Sequence, residues 1–425
     1  MQLYEHQKLA LEQTEGMTHV AYYHDMGLGK TFTGSEKMMQ LGAKVNLIVC
    51  QKSKIDDWLN HIRANYSGKI FALYDLTNGV AFHEFLQTAL VYDYISVVGV
   101  INYDLIWRRK ELLQLKDFTL MLDESSLIQN ETAKRSKFIL KMQPKNVILL
   151  SGTPTGGKYE RLWSQMHLLG WEISKKTYWN HYINVEYLDT MGGKSIPIVV
   201  GYKNVDRLKR KMSQYGCQFL KTEDVFDLPS QTFQKVKVET TKEYRQFHKN
   251  SIVLINDEEL VGDTTLTKML YERQLCGMYN ENKLKAFRDL VESTDDRLIV
   301  FYNFTNEMEQ MRDLVEGELG GDTSLVNGKT KNLQAYETIK NSVTFVQYQA
   351  GAMGLNLQKA NKIIYFSLPL SSELFEQSKK RIHRIGQESP CFYYLMICKG
   401  SIEEKILKTL EMRKNYTEEL FERGE

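Results

Sequence analysis

The chain has 425 residues, of which 42% are hydrophobic and 25% charged, and its formal net charge is only +2. This length exceeds one ordinary hydrophobic core, so two or three domains are expected, and the composition excludes a disordered chain or a fibre. The apolar runs are too short to cross a bilayer, so no membrane segment is predicted. The small net charge limits any nucleic-acid site to a local groove.

The first residues show no basic stretch followed by an apolar core, so no secretion signal is predicted and a cytoplasmic location is expected. The cysteines are dispersed and form no Cys-x-x-Cys pair, which is typical of reduced thiols without a structural zinc site. They are Cys50, Cys217, Cys276, Cys391 and Cys398.

Short, nearly continuous apolar runs occur in both halves of the chain, as expected for parallel strands buried on both faces. Helix-like stretches lie between them, which predicts an open α/β sheet formed twice. The predicted strands are 45–50, 95–100, 120–122 and 147–150 in the first half, and 298–302, 343–348, 362–366 and 392–397 in the second.

The segment 159–280 lies between the two sets of strands and carries Lys, Glu, Tyr and Leu at helical spacing, which predicts helical elaboration joining two lobes. Leu228-Pro229-Ser230 is the predicted hinge, and it divides the chain into lobes of residues 1–230 and 231–425. The final segment, 402–425, predicts a helix packed on the core through apolar residues. These are Ile402, Ile406, Leu407 and Leu410.

The sequence Gly27-Leu28-Gly29-Lys30-Thr31 precedes a helix-like stretch. Glycines let backbone amides turn toward phosphate oxygens, and the helix start adds positive potential. In such a turn Lys30 reaches the β- and γ-phosphates and Thr31 holds Mg²⁺. The usual first glycine of this motif falls at His24. An ordinary glycine-rich loop is the alternative.

An acidic pair, Asp123-Glu124, follows the predicted strand 120–122. Ligands of α/β sheets bind at the carboxyl ends of strands, so Asp123 is a candidate Mg²⁺ ligand. Glu124 is the candidate base that orients and deprotonates the attacking water. A solvated loop explains the pair equally well alone, but its combination with the Gly-Lys-Thr turn predicts ATP hydrolysis.

Two further turns follow apolar strands. In the first, Ser151-Gly152-Thr153-Pro154, small hydroxyl residues would link the nucleotide site to movement. The second contains Gly351, Gly354 and Asn356, where glycines let the backbone approach a phosphate closely. Structural turns are the alternative for both.

In the second half, Gln377, Arg381 and Arg384 are spaced i, i+4 and i+7, which predicts one helix face, and Gly386 is predicted to end that helix. Two arginines on one face would reach across a cleft to the γ-phosphate of ATP held by the other lobe. A solvated basic face is the alternative.

Taken in order, these motifs resemble those of the superfamily-two helicases, and within them the Swi/Snf type of DNA translocase. His24 stands where that family has an acidic residue, and Ser126 stands where it has a histidine linked to coupling between the lobes. Lys380 likewise replaces an acidic residue. The similar segments are 3–7, 25–31, 151–154, 201–204, 349–357 and 381–387.

The resemblance implies two tandem RecA-like lobes that use ATP and Mg²⁺. It assigns catalysis to Glu124, Arg381 and Arg384, and the metal to Thr31 and Asp123. It implies that Gln7 reads adenine. The implied nucleotide contacts are Gln7, Gly27, Gly29, Lys30, Thr31, Asp123, Gly354 and Gln377.

The resemblance also implies contacts with a tracked DNA strand. In the first lobe these are Lys52, Ser53, Asn102 and Tyr103, and in the second they are Thr305, Lys329 and Thr330. For Lys52 and Lys329 a solvated surface lysine is the alternative.

The function expected from the resemblance is an ATP-dependent translocase that moves along duplex DNA as a monomer, of a minimal bacterial or phage type. A strand-separating or origin-melting helicase, with single-stranded DNA as partner, shares every motif. An ATP-regulated scaffold that binds DNA without motor activity is a third possibility. A small-molecule P-loop kinase is disfavoured by the second predicted sheet and the two arginines.

Overall fold

The structure is a computed structural model that describes residues 3–68, 72–91, 96–189, 195–255, 258–351 and 355–421. The chain folds as two compact units, here called lobes. The first lobe is built from residues before Phe226, and the second is Phe226–Lys414. The boundary predicted after residue 230 lies at the start of the second lobe's first strand.

The first lobe alternates strands with helices. Its strands are β1 (His19–His24), β2 (Val45–Cys50), β3 (Ala72–Asp75), β4 (Val97–Asn102), β5 (Thr119–Asp123), β6 (Asn146–Leu150), β7 (Ile183–Asp189), β8 (Ser195–Tyr202) and β9 (Cys217–Leu220). Its helices are α1 (Glu5–Gln13), α2 (Lys30–Leu41), α3 (Ile55–Tyr66), α4 (Gly79–Val91), α5 (Tyr103–Ile106), α6 (Lys134–Ile139), α7 (Trp163–Leu168), α8 (Lys175–Tyr182) and α9 (Val205–Gln214).

Seven of these strands form one parallel sheet in the order β3-β4-β2-β5-β6-β1-β9. In β2, Leu47 and Val49 pack into one hydrophobic cluster, while Ile48 and Cys50 pack into another on the opposite face. Both faces of the sheet are therefore buried, which explains why β2 is apolar at every position except Asn46. Strands β7 and β8 form a separate antiparallel hairpin.

The second lobe repeats this plan. Its strands are β10 (Gln231–Val238), β11 (Ile252–Ile255), β12 (Glu258–Val261), β13 (Leu298–Tyr302), β14 (Thr323–Val326), β15 (Lys331–Asn332), β16 (Val343–Gln347), β17 (Lys362–Tyr365) and β18 (Cys391–Cys398). Its helices are α10 (Lys242–Asn250), α11 (Thr265–Cys276), α12 (Glu281–Glu292), α13 (Thr305–Asp313), α14 (Gln334–Thr338), α15 (Tyr348–Gly351), α16 (Ser372–Lys379) and α17 (Ile402–Phe421).

The sheet of the second lobe has the order β10-β18-β17-β13-β16-β14-β15 and is parallel except for the edge pair β14–β15. In β13, Ile299 and Phe301 face one cluster, whereas Val300 and Tyr302 face the other. The two α/β lobes with parallel sheets confirm the predicted fold class of tandem RecA-like domains.

The predicted C-terminal helix is confirmed as α17, whose residues Ile406, Leu407 and Leu410 belong to the core of the second lobe. The predicted helical elaboration between the lobes is wrong in part. That segment contains the β7–β8 hairpin, the sheet strands β9 and β10 and the β11–β12 hairpin as well as helices. Across the described ranges, no helix combines the length and the apolar character needed to cross a membrane.

Candidate active site

Three neighbouring strands of the first sheet, β5, β6 and β1, end at the same edge. Register pairs Tyr22 with Leu150 and Leu150 with Asp123, so the turns that follow these strands are adjacent. The Gly-Lys-Thr turn of residues 27–31 (here called the phosphate turn), the acidic pair and the turn that begins at Ser151 therefore meet at the carboxyl edge. Parallel α/β sheets bind ligands at this edge.

The phosphate turn joins β1 to α2. Gly27 and Gly29 have φ values of 89° and 69°, a left-handed conformation that other residues adopt at a cost, and Gly29 caps the start of α2. The Nζ of Lys30 donates to the carbonyl oxygens of His24 (2.9 Å) and Asp25 (3.2 Å). The ammonium group is thus held over the turn, next to where phosphate oxygens would bind.

Gln7 of α1 is buried against this turn. Its Nε2 donates to the carbonyl oxygens of Leu28 (3.2 Å) and Gly29 (3.2 Å), and its Oε1 accepts from the amide of Tyr4 (3.0 Å). A Cβ atom at Gly29 would overlap Nε2 of Gln7, and the positive φ of this residue favours glycine as well. The structure therefore places Gln7 as a brace of the phosphate turn, and its contact with adenine stays a prediction.

His24, which stands in place of the family's acidic residue, is only 1% exposed. Burial, followed by the charges of Lys30 and His6, lowers the pKa of His24 to about 3. The imidazole is therefore neutral near pH 7. A neutral group at this position adds no charge beside the ammonium of Lys30.

The depressed pKa of His24 predicts a pH-dependent stability. In the unfolded chain a histidine takes up a proton near pH ~6.5, whereas folded His24 stays neutral down to pH 3, so stability is lost as the pH falls through this window. From pH ~7 to pH ~5 we expect this group to cost about 2 kcal/mol, measured by urea unfolding. His24→Asn should flatten the pH profile by that amount, and an unchanged profile would contradict the burial of a neutral ring.

Asp123, at the end of β5, is held from two sides. Its Oδ2 accepts from Nε1 of Trp58 (2.8 Å), and its carbonyl oxygen accepts from the hydroxyl of Tyr103 (2.9 Å). Burial raises the pKa of Asp123 above its ordinary value, while the Trp58 hydrogen bond and the charge of Lys30 act in the opposite direction. Further positive charge near this carboxyl would favour its ionised form.

Glu124 has an unusual backbone for a residue with a side chain, with φ 53° and ψ 59°. Such left-handed residues persist only where their surroundings hold them, and they cluster at functional sites. The Oε2 of Glu124 accepts from the hydroxyl of Ser151 (3.4 Å), so the acidic pair and the next turn are connected.

These groups fit ATP and Mg²⁺. The phosphate turn contains two glycines with positive φ, and the ammonium of Lys30 supplies positive charge beside it. The hydroxyl of Thr31 and the carboxylate of Asp123 are hard oxygen ligands, which Mg²⁺ prefers. The donor set therefore matches both the nucleotide and the metal that the sequence predicts.

The arginines of the second lobe do not lie on a helix, so the predicted common face with Gln377 is wrong. Helix α16 ends before Arg381 and Arg384, which lie in the turns that follow. The carbonyl oxygens of Arg381 and Ile382 accept from the amide of Leu357 (3.1 Å) and from Nε2 of Gln387 (3.2 Å). These partners take the place of helical hydrogen bonds.

Arg384 donates through Nη1 to Oδ1 of Asn356, a neutral acceptor from the segment 349–357. Burial lowers the pKa of the Arg384 guanidinium from its ordinary value. Arg381 is 6% exposed. Gln377 is buried in α16 and donates to Glu373 (3.5 Å). The predicted nucleotide residue Gly354 lies outside the described residues.

The candidate DNA contacts divide by exposure. Tyr103 is 2% and Asn102 6% exposed, and the Tyr103 hydroxyl already donates to the acidic segment, which leaves these side chains little surface for a nucleic acid. The other predicted contacts are exposed. They are Lys52, Ser53, Thr305, Lys329 and Thr330.

Two residues near the acidic pair were not anticipated from the sequence. Trp58 binds the Asp123 carboxylate from α3, and Gln165 binds Ser125 from α7. They lie 65 and 40 residues from their partners, so no local pattern marks them.

The fold also gathers cysteines that look scattered in the sequence. Cys276, Cys398 and Glu403 come together in the second lobe with their ligand atoms within 4.8 Å of one another. The Nζ of Lys283 lies 2.6 Å from Oε1 of Glu403, and the amide of Cys398 donates to Oε2 (2.9 Å). Because the ammonium already neutralises Glu403, this cluster functions as a buried ion pair in this structure.

Comparison with known proteins identifies two family models in succession. The SNF2-related domain matches residues 18–282, and the helicase conserved C-terminal domain matches residues 282–386. The segments matched include the phosphate turn, the acidic pair and both second-lobe arginines.

Individual relatives are distant. The mouse SWI/SNF-related matrix-associated actin-dependent regulator of chromatin subfamily A member 1 is 21% identical, over 92% of this chain and 40% of that protein. The putative ATP-dependent helicase/translocase YwqA of Bacillus subtilis is 22% identical, over 94% of this chain and 46% of that protein. The chain thus spans less than half the length of these two curated relatives.

Among solved structures, this chain is similar to the Sulfolobus solfataricus SWI2/SNF2 ATPase core in complex with dsDNA. The similarity covers 98% of this chain and 92% of that one, with 19% sequence identity and a TM-score of 0.45. The SNF2-related model alone spans more than half of the 425 residues, and the helicase C-terminal model follows it directly. The chain therefore belongs to the Swi/Snf family of superfamily-two helicases.

Proposed function

We propose that this chain hydrolyses ATP and uses the energy to move along double-stranded DNA. One observation carries the proposal: Lys30, Asp123 and Glu124 lie at one edge of a parallel sheet, where we assign them as a phosphate-binding lysine, a metal ligand and a base. Family membership supports the same reading, since the Bacillus subtilis relative is named a putative ATP-dependent helicase/translocase.

In this proposal the phosphate turn binds the substrate. The ammonium of Lys30 exchanges its bonds with the turn's own carbonyl oxygens for phosphate oxygens, and Gln7 keeps the turn in shape. Thr31 and Asp123 would hold Mg²⁺. When bound, this ion neutralises charge on the phosphate oxygens.

Glu124 then accepts the proton of the attacking water at its carboxylate. The hydroxyl of Ser151 orients that carboxylate by donating to Oε2. A base held in this way contributes typically ~10²–10⁴-fold to the rate. Arg381 and Arg384 are proposed to stabilise the charge that develops during phosphoryl transfer, a role worth about 10³–10⁵-fold in other phosphate hydrolases.

Duplex DNA is proposed to bind through phosphate contacts at the exposed residues Lys52, Ser53, Thr305, Lys329 and Thr330. Such contacts carry little base information, so sequence preference should be weak. They also release counterions, so binding should weaken steeply as salt rises.

The experiment that tests this function measures ATP hydrolysis without nucleic acid, with single strands and with duplex DNA. We expect duplex DNA to stimulate the rate most, and the stimulation to fall between 50 and 200 mM salt, a range in which phosphate contacts lose about 10³–10⁵ in affinity when 6–10 of them are made. Displacement of a third strand from a triplex, without separation of the duplex, should accompany hydrolysis.

The other outcomes are equally informative. Separation of the duplex strands would instead support a strand-separating helicase. Duplex binding with no ATP hydrolysis under any condition would support an ATP-regulated scaffold and refute the motor.

A further inference from the structure

Gln165 lies in α7 of the first lobe and is fully buried, with 0% of its surface exposed. Its Oε1 accepts from the hydroxyls of Tyr23 (3.0 Å) and Ser125 (2.7 Å), and its Nε2 donates to the carbonyl oxygen of Pro154 (2.7 Å). One side-chain amide therefore joins β1, the acidic segment and the turn after β6.

The chemistry of these partners fixes the orientation of the amide. A carbonyl oxygen can only accept, so Nε2 must face Pro154, and both hydroxyls must then donate to Oε1. In a buried setting each of these bonds is strong, and a network in which the partners are matched favours a single arrangement.

Two of the three links converge on Glu124. Ser125 follows it directly, and the hydrogen bond to Gln165 anchors the residue next to the left-handed backbone of Glu124. Pro154 belongs to the same turn as Ser151, whose hydroxyl donates to the Glu124 carboxylate. The backbone and the side chain of Glu124 are thus both held by elements that Gln165 ties together.

The third link reaches the phosphate turn. Tyr23 directly precedes His24, and the carbonyl oxygen of His24 accepts from the ammonium of Lys30. Gln165 therefore hydrogen-bonds to residues next to the phosphate turn, next to Glu124 and in the turn after Ser151. None of these three partners is a residue that we assign to the chemistry itself.

We propose that Gln165 is a positioning residue, which holds the Glu124 carboxylate in register with the phosphate turn and the turn at Ser151. The inference rests on the proposed ATP hydrolysis. Ser126, which stands where the Swi/Snf pattern has a histidine, is 0% exposed. The residue before it, Ser125, is connected through Gln165 to the turn after β6, in addition to the hydrogen bond between Ser151 and Glu124.

The test is a pair of variants and their combination. Gln165→Met keeps the length of the side chain but removes the amide, and we expect duplex-stimulated kcat to fall about 10–10²-fold with KM for ATP within about twofold. Ser125→Ala should lower kcat in the same direction. The double variant should be no slower than Gln165→Met, because both changes remove the same hydrogen bond between Ser125 and Gln165.

Tyr178→Phe is the matched control. Its hydroxyl is also buried in the first lobe, but it donates to the carbonyl oxygen of Tyr159 (2.7 Å) and is not one of the hydrogen-bond partners of Gln165. We expect it to lower Tm while leaving kcat of the folded protein unchanged. If Gln165→Met likewise lowered Tm and left kcat unchanged, the role of Gln165 would be purely structural, and the inference would be overturned.

The remaining outcomes separate this inference from the proposed function. If the losses of kcat in the double variant were additive, Ser125 and Gln165 would not act through their shared hydrogen bond, and the inference would be overturned. Should Gln165→Met fail to fold, Ser125→Ala, which deletes one hydroxyl, decides the matter, and an unchanged kcat would overturn the inference. A wild-type protein without ATP turnover would refute the proposed function and the inference together, whereas an active wild type with active variants refutes only the inference.

Discussion

Glu124→Gln is expected to reduce ATP turnover by about 10²–10⁴-fold while ATP binding is retained. An amide has nearly the shape of a carboxylate and can still accept from the Ser151 hydroxyl, but it cannot take a proton from water. The left-handed backbone of Glu124 already exists with a side chain of this size, so the fold should survive the change. Phosphate release with duplex DNA measures turnover, and titration with a fluorescent ATP analogue measures binding.

Asp117→Asn provides a matched control for that experiment. Asp117 is a second acidic residue with a positive φ (50°), and it lies exposed before β5, at the opposite end of the strand from Asp123. The same carboxylate-to-amide change should leave turnover as in the wild type. Normal turnover by Glu124→Gln would place the base elsewhere.

Lys283→Met is expected to destabilise the second lobe by about 3–5 kcal/mol, because it leaves an unpaired carboxylate in the core. The side chains of Lys283 and Glu403 are 0% and 3% exposed, and their charged atoms are 2.6 Å apart. Burial opposes the charge of Lys283, but Glu403 outweighs it, so the pKa of Lys283 lies above its ordinary value. Urea unfolding followed by far-ultraviolet circular dichroism measures the loss of unfolding free energy.

Two comparisons sharpen the result. In the double variant Lys283→Met/Glu403→Leu no buried charge remains, so it should be more stable than Lys283→Met alone. Lys399→Met removes one partner of an exposed pair with Glu239, whose side chains are 51% and 64% exposed, and should cost less than about 1 kcal/mol. Equal losses for Lys283→Met and Lys399→Met would contradict a special role of the buried pair.

The strands could be predicted where both faces of a sheet are buried. In β2 and β13 every position except Asn46 is hydrophobic, and the predicted bounds 45–50 and 298–302 match the observed ones. Strand β1 was not predicted, because its sequence His19–His24 mixes two histidines with two tyrosines. Its polar atoms can be buried because partners outside the strand satisfy their hydrogen bonds. Thr14 does so for the hydroxyl of Tyr22 (2.7 Å), and Gln165 does so for that of Tyr23.

Helical spacing was less reliable for the second-lobe arginines. The interval between Gln377 and Arg384 fits a helix, yet the chain leaves α16 after Lys379. Beyond that point the carbonyl oxygen of Arg381 accepts from the amide of Leu357 in a distant segment, and that of Ile382 accepts from the side chain of Gln387, five residues later. These hydrogen bonds outweigh the helical preference. Sequence spacing cannot report such competition, because one competing group comes from another segment and the other is a side-chain amide that adds nothing to a helical period.

By itself the sequence determined the two-lobe α/β plan, because apolar runs mark the buried strands, and it predicted a phosphate turn and an acidic pair at strand ends. Only the tertiary structure decided how these residues are held. Trp58 on Asp123, Gln7 beneath the phosphate turn and Gln165 beside Ser125 all act across long sequence separations. Hydrogen bonds between buried groups depend on how strands and helices pack, and the choice of distant hydrogen-bond partners leaves no periodic trace in the sequence.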